Sequence, residues 1–300
     1  MSLFTGIRQI SIPAPAKINL FLSVYGKRDD GYHDILSVLA KLELHDLITI
    51  EIQRDYQDCR VFSPSCPEIE NEENLVIKAC ELWRKNSGCS LGLSIQIDKK
   101  IPLEAGLGGG SSDAVATLLG LNLLLKSRLD KDTLLDIAGE VGSDCPSFLI
   151  DGLCIASGRG EKVKKLDENN FLGIRGRKVF LFQPPVRFST KEIYDGLLKT
   201  DYSEEDLKEE ELKISNFDFG NISLKNILHN DLQKVVIRKY LFIQILFKKL
   251  EEKFNLHPML CGSGSCCFFF IEENLNIKEI ENYIKRCWGN EIFTKITKLL

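Results

Sequence analysis

From Pro102 to Asp113 the chain reads Pro-Leu-Glu-Ala-Gly-Leu-Gly-Gly-Gly-Ser-Ser-Asp. Glycines at 106, 108, 109 and 110 precede Ser111 and Ser112, and an apolar run from Ala114 to Leu125 predicts a helix directly after them. Glycine permits positive φ and places no Cβ in the way of an approaching ligand. A helix start adds unpaired N–H groups and the positive end of a dipole. Together they make an anion site, with phosphate the natural occupant. A flexible loop capped by serine needs fewer glycines. The stretch is not a Walker A loop, because no lysine follows its glycines. It is not a dinucleotide fingerprint either, because Ser111 stands where the third glycine belongs.

Other residues carry possible chemistry. Lys17 and Asn19 lie in Pro13-Ala-Pro-Ala-Lys-Ile-Asn19, at the start of a strand predicted over 18–25, two positions apart and so on one face. A lysine at a strand end is ordinarily a solvated charge. Asp30-Gly31 marks a turn, and Tyr32-His33 follow it. The pair reads either as a loop-edge aromatic with a casual histidine, or as a platform and hydrogen-bond partner for a planar ring. Asp144, in Gly142-Ser-Asp-Cys-Pro146, has two readings. It caps a new helix whose first turn suits Pro146, or it is a catalytic carboxylate on a short loop. Near the end, Leu260-Cys-Gly-Ser-Gly-Ser-Cys-Cys267 is a second glycine turn running into an apolar strand that ends at Ile271.

The elements that must position these residues follow from periodicity and punctuation. Strands are predicted over 47–52, 91–97, 152–156 and 179–182, with a polar loop over 54–73. A helix over 75–83 has capping candidates at Asn71 and Asn74, and a second spans 130–141. The strand ending at Asp98 feeds the glycine stretch, which gives it a strand–loop–helix setting. Residues 161–178 are charged and contain Asn169-Asn170, where a domain boundary is placed: 1–168 and 169–300. Ser189 and Glu192 form a capping box for a helix that carries Tyr194. The acidic run 201–213 reads as a solvated face. Residues 226–255 are largely helical, 277–288 amphipathic, and a short strand closes the chain. No internal repeat is present.

With 300 residues, 44% hydrophobic and 27% charged, the chain can bury a core as one large domain or two ordinary ones. A net charge of -4 excludes a nucleic-acid binder working through bulk positive charge. Phosphate must then be held by local groups. None of the ten cysteines forms C-x-x-C and none has zinc-finger spacing, so free thiols in a reducing cytosol are expected. Residues 1–12 lack a targeting pattern, and no apolar run approaches the roughly 20 residues of a membrane span. A cytoplasmic protein with no membrane partner is expected; the oligomeric state is open.

Segments 13–19, 102–113 and 260–267 together resemble the GHMP small-molecule kinases. That family has an early lysine-bearing strand motif, a Pro-x-x-x-Gly-Leu-Gly-x-x-Ser-Ser type loop and a late glycine turn. The resemblance spans nearly the whole chain. Within the family, Pro15-Ala-Lys-Ile-Asn-Leu20, Asp30-Gly-Tyr-His33, Gly106 through Ser112 and Gly142-Ser-Asp-Cys-Pro146 are similar to the members that phosphorylate a CDP-linked methylerythritol. Asp30-Gly-Tyr-His33 discriminates, since the other members have no cytosine to read. Ser143 and Cys145 depart from the usual neighbours of the aspartate, and Glu104-Ala105 stand where more glycine is common.

The resemblance implies an α+β, two-domain architecture, the first domain like domain 2 of ribosomal protein S5 and the second ferredoxin-like, with the active site between them. Residues 1–168 would bind ATP and carry catalysis, and 169–300 would bind substrate. ATP and Mg²⁺ are implied, with no Mg²⁺ ligands identifiable. The reaction would be phosphoryl transfer to the 2-hydroxyl of a CDP-linked methylerythritol in non-mevalonate isoprenoid synthesis. Asp144 would be the general base and Lys17 its electrostatic partner. Pro102, Leu103, Glu104, Ala105, Gly106, Leu107, Gly108, Gly109, Gly110, Ser111 and Ser112 would hold ATP, with Asn74 and Thr190 on the adenine side. Asn19, Tyr32, His33, Tyr194, Gly262, Ser263 and Gly264 would bind the substrate, Tyr32 and Tyr194 sandwiching the cytosine.

Overall fold

Two long strands carry most of the early apolar residues: β1 (Gln9–Lys27) and β2 (His33–Gln53). The turn between them is closed by Arg28 N–H donating to Tyr32 O at 2.7 Å. In the computed structural model residues 8–53, 55, 57–126, 129–167, 173–217 and 227–300 are described. The apolar stretches 35–39 and 47–52 are one continuous strand. The connecting residues alternate strictly, with Leu42 and Leu44 buried and Glu43 exposed, so no turn interrupts them.

Two compact units emerge. The first comprises residues 1–16, 44–103 and 108–149. In it β4 (Gly92–Asp98) pairs antiparallel with β2, from Leu47 opposite Asp98 to Gln53 opposite Gly92. The short β3 (Cys59–Phe62) pairs parallel with β4, inside a stretch whose polarity predicts a loop. Four residues with alternate exposed positions carry too weak a pattern to read. Helices α1 (Leu75–Ser87), α2 (Gly109–Leu124), α3 (Lys131–Val141) and α4 (Cys145–Phe148) complete the unit. Ile48, Ile50, Trp83, Ile95, Leu118 and Ile137 meet in its core. Asn74 caps α1 by accepting from Val76 N–H, and Gly88 ends it in the left-handed region at φ 69°.

Helix α2 corrects the sequence reading. It begins at Gly109, not Ala114, so Gly109, Gly110, Ser111 and Ser112 form its first turn. Glycine is a poor helix former, which hides this start from propensity. The helix is buried nearly all round through Leu121 and shows no amphipathic stripe.

The second unit comprises residues 17–43, 104–107 and 150–300. Here β5 (Cys154–Gly158) pairs antiparallel with β2 and with β6 (Lys162–Lys165), which lies in the charged stretch after Gly160. β7 (Lys178–Gln183) is central to an antiparallel sheet, and α5 (Thr190–Asp195) and α6 (Leu207–Ser215) follow. β8 (His229–Asn230) pairs parallel with β1. α7 (Asp231–Lys239), α8 (Leu241–Phe254), β9 (Met259–Leu260), β10 (Cys267–Phe270), α9 (Ile277–Trp288) and β11 (Phe293–Lys298) complete it. The sheet order is β11-β7-β10-β9. Phe180, Phe182, Phe247, Leu250, Phe269 and Ile284 build the core there. The boundary expected at 168/169 lies outside the described residues.

The acidic run 201–213 becomes mainly the start of α6, whose N-cap Asp206 accepts from Lys208 and Glu209 N–H. All ten cysteines are free thiols. Among the described residues no helix is long and apolar enough to cross a membrane.

Buried Asp231 ties α7 to β1. One carboxylate oxygen accepts from Val24 N–H at 2.9 Å, and the other meets Lys234 Nζ at 2.8 Å and His229 Nε2 at 2.9 Å. Burial opposes its charge, but these three bonds outweigh it and hold the carboxyl below the usual aspartate range. A depressed carboxylate contributes stability above its ordinary pKa and loses that contribution as pH falls through its folded value. Asp231→Asn should therefore cost about 2 kcal/mol at neutral pH. In thermal melts, its gap to the wild type should narrow as the pH drops below about 4.

Candidate active site

In the first unit the glycine stretch enters α2 through Gly108, in the left-handed region at φ 70°. Ser112 N–H donates back to Gly108 O at 2.9 Å, which closes the first turn. Helix geometry leaves the N–H groups of Gly109, Gly110 and Ser111 without intrahelical partners. Gly110 is exposed, so these donors can be approached. Ser112 Oγ is buried and has no protein hydrogen-bond partner. A buried, unsatisfied hydroxyl is costly unless a ligand completes it, and this one can donate to an anion oxygen or accept from a cation.

Beneath that turn lies a buried ion cluster. Lys99 Nζ is 2.5 Å from Asp46 Oδ2 and 2.8 Å from Asp113 Oδ2. Burial pushes the Asp113 carboxyl up to about 7, opposed by the Lys99 charge and reinforced by Asp46. Lys99 stays protonated because its two carboxylates outweigh its own burial.

Asp144 occupies the N-cap position of α4, with Pro146 in the first turn, yet its side chain makes no capping bond there. Its backbone O accepts instead from Ser147 Oγ at 2.7 Å. The neighbouring Cys145 thiol hydrogen-bonds Ser111 and is pushed up to about 12 by burial, with the Asp144 charge adding to the shift. The Asp144 segment and the serine turn are thus neighbours within this unit. Asn74 is committed at both ends, its Oδ1 to Val76 N–H and its Nδ2 to Ile69 O.

In the second unit, residues 104–107 of the glycine stretch are fastened by main-chain bonds. Lys17 N–H donates to Leu107 O at 2.9 Å, Ser265 N–H to Glu104 O at 3.3 Å and Cys266 N–H to Ala105 O at 3.1 Å. Gly106 takes φ 73°, and a Cβ built there would lie 1.9 Å from Cys261 O. No other residue type fits. Lys17 and Asn19 are both buried, and Lys17 Nζ donates to Asn19 Oδ1 at 2.9 Å. Asn19 Nδ2 donates onward to Ser37 Oγ at 2.8 Å. A Cβ at Gly262 would stand 3.3 Å from Lys17 Nζ and 3.4 Å from Asn19 Oδ1, so the late glycine turn passes directly over this pair. Thr190 Oγ1 and Ser263 Oγ are 2.8 Å apart. The structure thereby groups Thr190 with the late turn.

Tyr32 is 53% exposed, whereas His33 is 6% exposed. The loop-edge reading of that histidine gives way to a packed one. His33 lies 5.2 Å from the Tyr194 ring and 6.0 Å from that of Tyr202, whose hydroxyl is 3.5 Å from Nε2. Burial, aided by the Lys27 charge, lowers the His33 pKa and keeps the ring neutral at physiological pH. The Arg159 guanidinium stands 5.0 Å from the centre of the Tyr32 ring. An exposed aromatic, a neutral imidazole and a cation can together stack on a planar ring, pair with its edge and attract an anion.

Residues 74–152 match the family described as GHMP kinases N terminal domain. The 4-diphosphocytidyl-2-C-methyl-D-erythritol kinase of Alkaliphilus metalliredigens is 33% identical over 299 residues, 94% of this chain and 99% of the relative. The enzyme of that name from Prochlorococcus marinus is 36% identical, over 96% of this chain and 92% of the relative. The chain belongs to the GHMP kinases, among the 4-diphosphocytidyl-2-C-methyl-D-erythritol kinases. A crystal structure of a 4-(cytidine 5'-diphospho)-2C-methyl-D-erythritol kinase superposes with a TM-score of 0.74 at 27% identity, covering 96% of this chain and 99% of that one. The two-domain GHMP kinase architecture follows.

Several contacts around the residues singled out from the sequence escaped sequence reasoning. Tyr202 lies in the acidic run and Arg159 in the Gly158-Arg-Gly160 turn; only folding brings them to His33 and Tyr32. Asn230 is buried and donates to Leu260 O at 3.0 Å and Gly262 O at 2.8 Å, which holds the late glycine turn. Lys99 and Asp46 are 53 positions apart, so no local pattern joins them. The one available signal was Asp113 at the end of the serine run.

Two glycine substitutions separate fold from function. Gly106→Ala should destabilise the protein by more than about 3 kcal/mol, because its methyl meets a fixed carbonyl. At Gly110 the nearest atom to a new Cβ, on Leu75, is 4.0 Å away. Gly110→Ala should raise stability by about 0.5–1 kcal/mol and weaken ATP binding, as read by denaturant melts beside nucleotide titration.

Proposed function

We propose that this chain transfers the γ-phosphoryl group of ATP to the 2-hydroxyl of 4-diphosphocytidyl-2-C-methyl-D-erythritol, a cytoplasmic step of non-mevalonate isoprenoid synthesis. The observation that carries the reading is the buried Lys17–Asn19 pair under the late glycine turn, in a chain whose relatives at 33% and 36% identity bear that activity's name.

Phosphoryl transfer is chiefly positioning and charge neutralisation. In this reading the first-turn N–H groups of α2 receive the triphosphate, with the helix dipole favouring its charge. Ser112 Oγ completes the cradle, and Mg²⁺ would neutralise phosphate charge there. Asp144 accepts the proton of the attacking hydroxyl. Lys17 supplies positive charge for the oxygens between which the phosphoryl group passes, and its bond to Asn19 fixes where that charge sits. Asn19 and residues 262–264 receive the alcohol and its diphosphate. Tyr32 stacks on the cytosine with Tyr194, and His33, held neutral, offers one ring nitrogen as donor and the other as acceptor for the base edge. Asn74 borders the nucleotide, whereas Thr190, 2.8 Å from Ser263 Oγ, falls on the substrate side in this reading.

A coupled ADP-release assay across candidate alcohols tests the substrate. Turnover is expected with the CDP-linked methylerythritol and not with mevalonate or homoserine; the reverse pattern overturns the proposal. Asp144→Asn should lower kcat about 100-fold or more while ATP affinity holds. A near-normal kcat would return Asp144 to a purely structural part. Tyr32→Ala should raise KM for the cytidine substrate and leave KM for ATP within about twofold, since stacking contributes about 1–3 kcal/mol per base.

A further inference from the structure

The two ends of the glycine stretch share one buried cation. Lys99 immediately follows β4, and its side chain is 6% exposed, against 0% for Asp46 and 3% for Asp113. The second oxygen of Asp46 accepts from Lys100 N–H at 2.5 Å and from Ile101 N–H at 2.8 Å. Those residues lead into the stretch. Asp113 lies just beyond its glycines, in α2. Lys99 Nζ would also lie 3.2 Å from a Cβ at Gly109, so the ammonium abuts the first turn itself. Strand β2, residues 99–101 and the start of α2 therefore meet at one ammonium.

A lysine beside a phosphate loop invites assignment as a phosphate ligand. Its two partners argue otherwise, because an ammonium whose hydrogen bonds already go to Asp46 at 2.5 Å and Asp113 at 2.8 Å has little left to offer a phosphate. We propose that Lys99 is a positioning residue for the nucleotide loop. With Asp46 and Asp113 it fixes the separation of the loop's two ends, so that the first-turn N–H groups are aimed before the phosphates arrive. Preorganisation of this kind acts on nucleotide affinity, since the ordering cost is met in the free enzyme. The inference rests on the reading of 102–112 as the ATP loop.

The test uses two variants of the full chain. Asp113→Asn keeps the shape and removes one charge. Lys99→Met with Asp46→Asn and Asp113→Leu removes the ion cluster as a unit, which folded proteins tolerate better than an unpaired buried charge. ATP binding is measured by calorimetry, and kcat and both KM values with the CDP-linked substrate. The expected result is about a tenfold weaker ATP affinity, with kcat at saturating ATP and KM for the alcohol within about twofold of wild type. A folded variant with unchanged ATP affinity overturns the proposal and leaves the cluster a stability element, as does a loss in kcat without one in ATP affinity. If the wild type binds ATP but phosphorylates no CDP-linked alcohol, the proposed function fails while the binding shift still decides the role of Lys99. A wild type that binds no ATP overturns both.

Discussion

At Gly106 the chain passes Cys261 so closely that a methyl group would lie 1.9 Å from its carbonyl oxygen. Much of the second unit's packing around Lys17 depends on this approach. It lets Ala105 and Glu104 accept from the late glycine turn while Leu107 accepts from Lys17 N–H. Three segments far apart in sequence are thereby locked main chain to main chain. Such bonds fix backbone position without reference to side-chain identity, which leaves the side chains available for chemistry. The same turn brings Gly262 over the Lys17–Asn19 pair, where any side chain would crowd the ammonium.

The first unit solves a different problem. An anion site at a helix start needs donors that stay exposed while the helix itself is held. Helix α2 is buried almost all round, so packing rather than propensity maintains it. That burial makes it possible to open the helix on two glycines, each costing up to about 1 kcal/mol of helix propensity. The serines that follow divide their roles: Ser111 bonds the Cys145 thiol beside Asp144, while Ser112 keeps an unsatisfied oxygen.

Burial also sets the electrostatics. His33 is neutral because it is packed between Tyr194 and Tyr202, and a neutral imidazole carries both a donor and an acceptor. Lys17 spends one donor on Asn19 and so keeps a fixed direction. In each case a residue of ordinary chemistry gains its role from the neighbours that restrict it.

Much of this was legible in the chain itself. The glycine–serine run, the Lys17–Asn19 spacing, Asp30-Gly-Tyr-His33 and the late glycine turn are local patterns whose chemistry follows from residue type. The helices predicted over 75–83, 130–141 and 277–288 announce themselves by period, the first also by its capping candidates. What the tertiary structure alone decided concerns pairs without sequence proximity. Lys99 finds Asp46, Tyr202 finds His33, Arg159 finds Tyr32 and Asn230 finds Gly262 only through strand pairing and helix packing. It also moved the start of α2 back to Gly109, since propensity places a helix where residues favour it, while burial places it where neighbours hold it. Sequence by itself determined the chemical inventory, because reactivity belongs to residue types. Folding decided which charges are buried, paired and aimed, because those properties exist only between residues that the chain keeps apart.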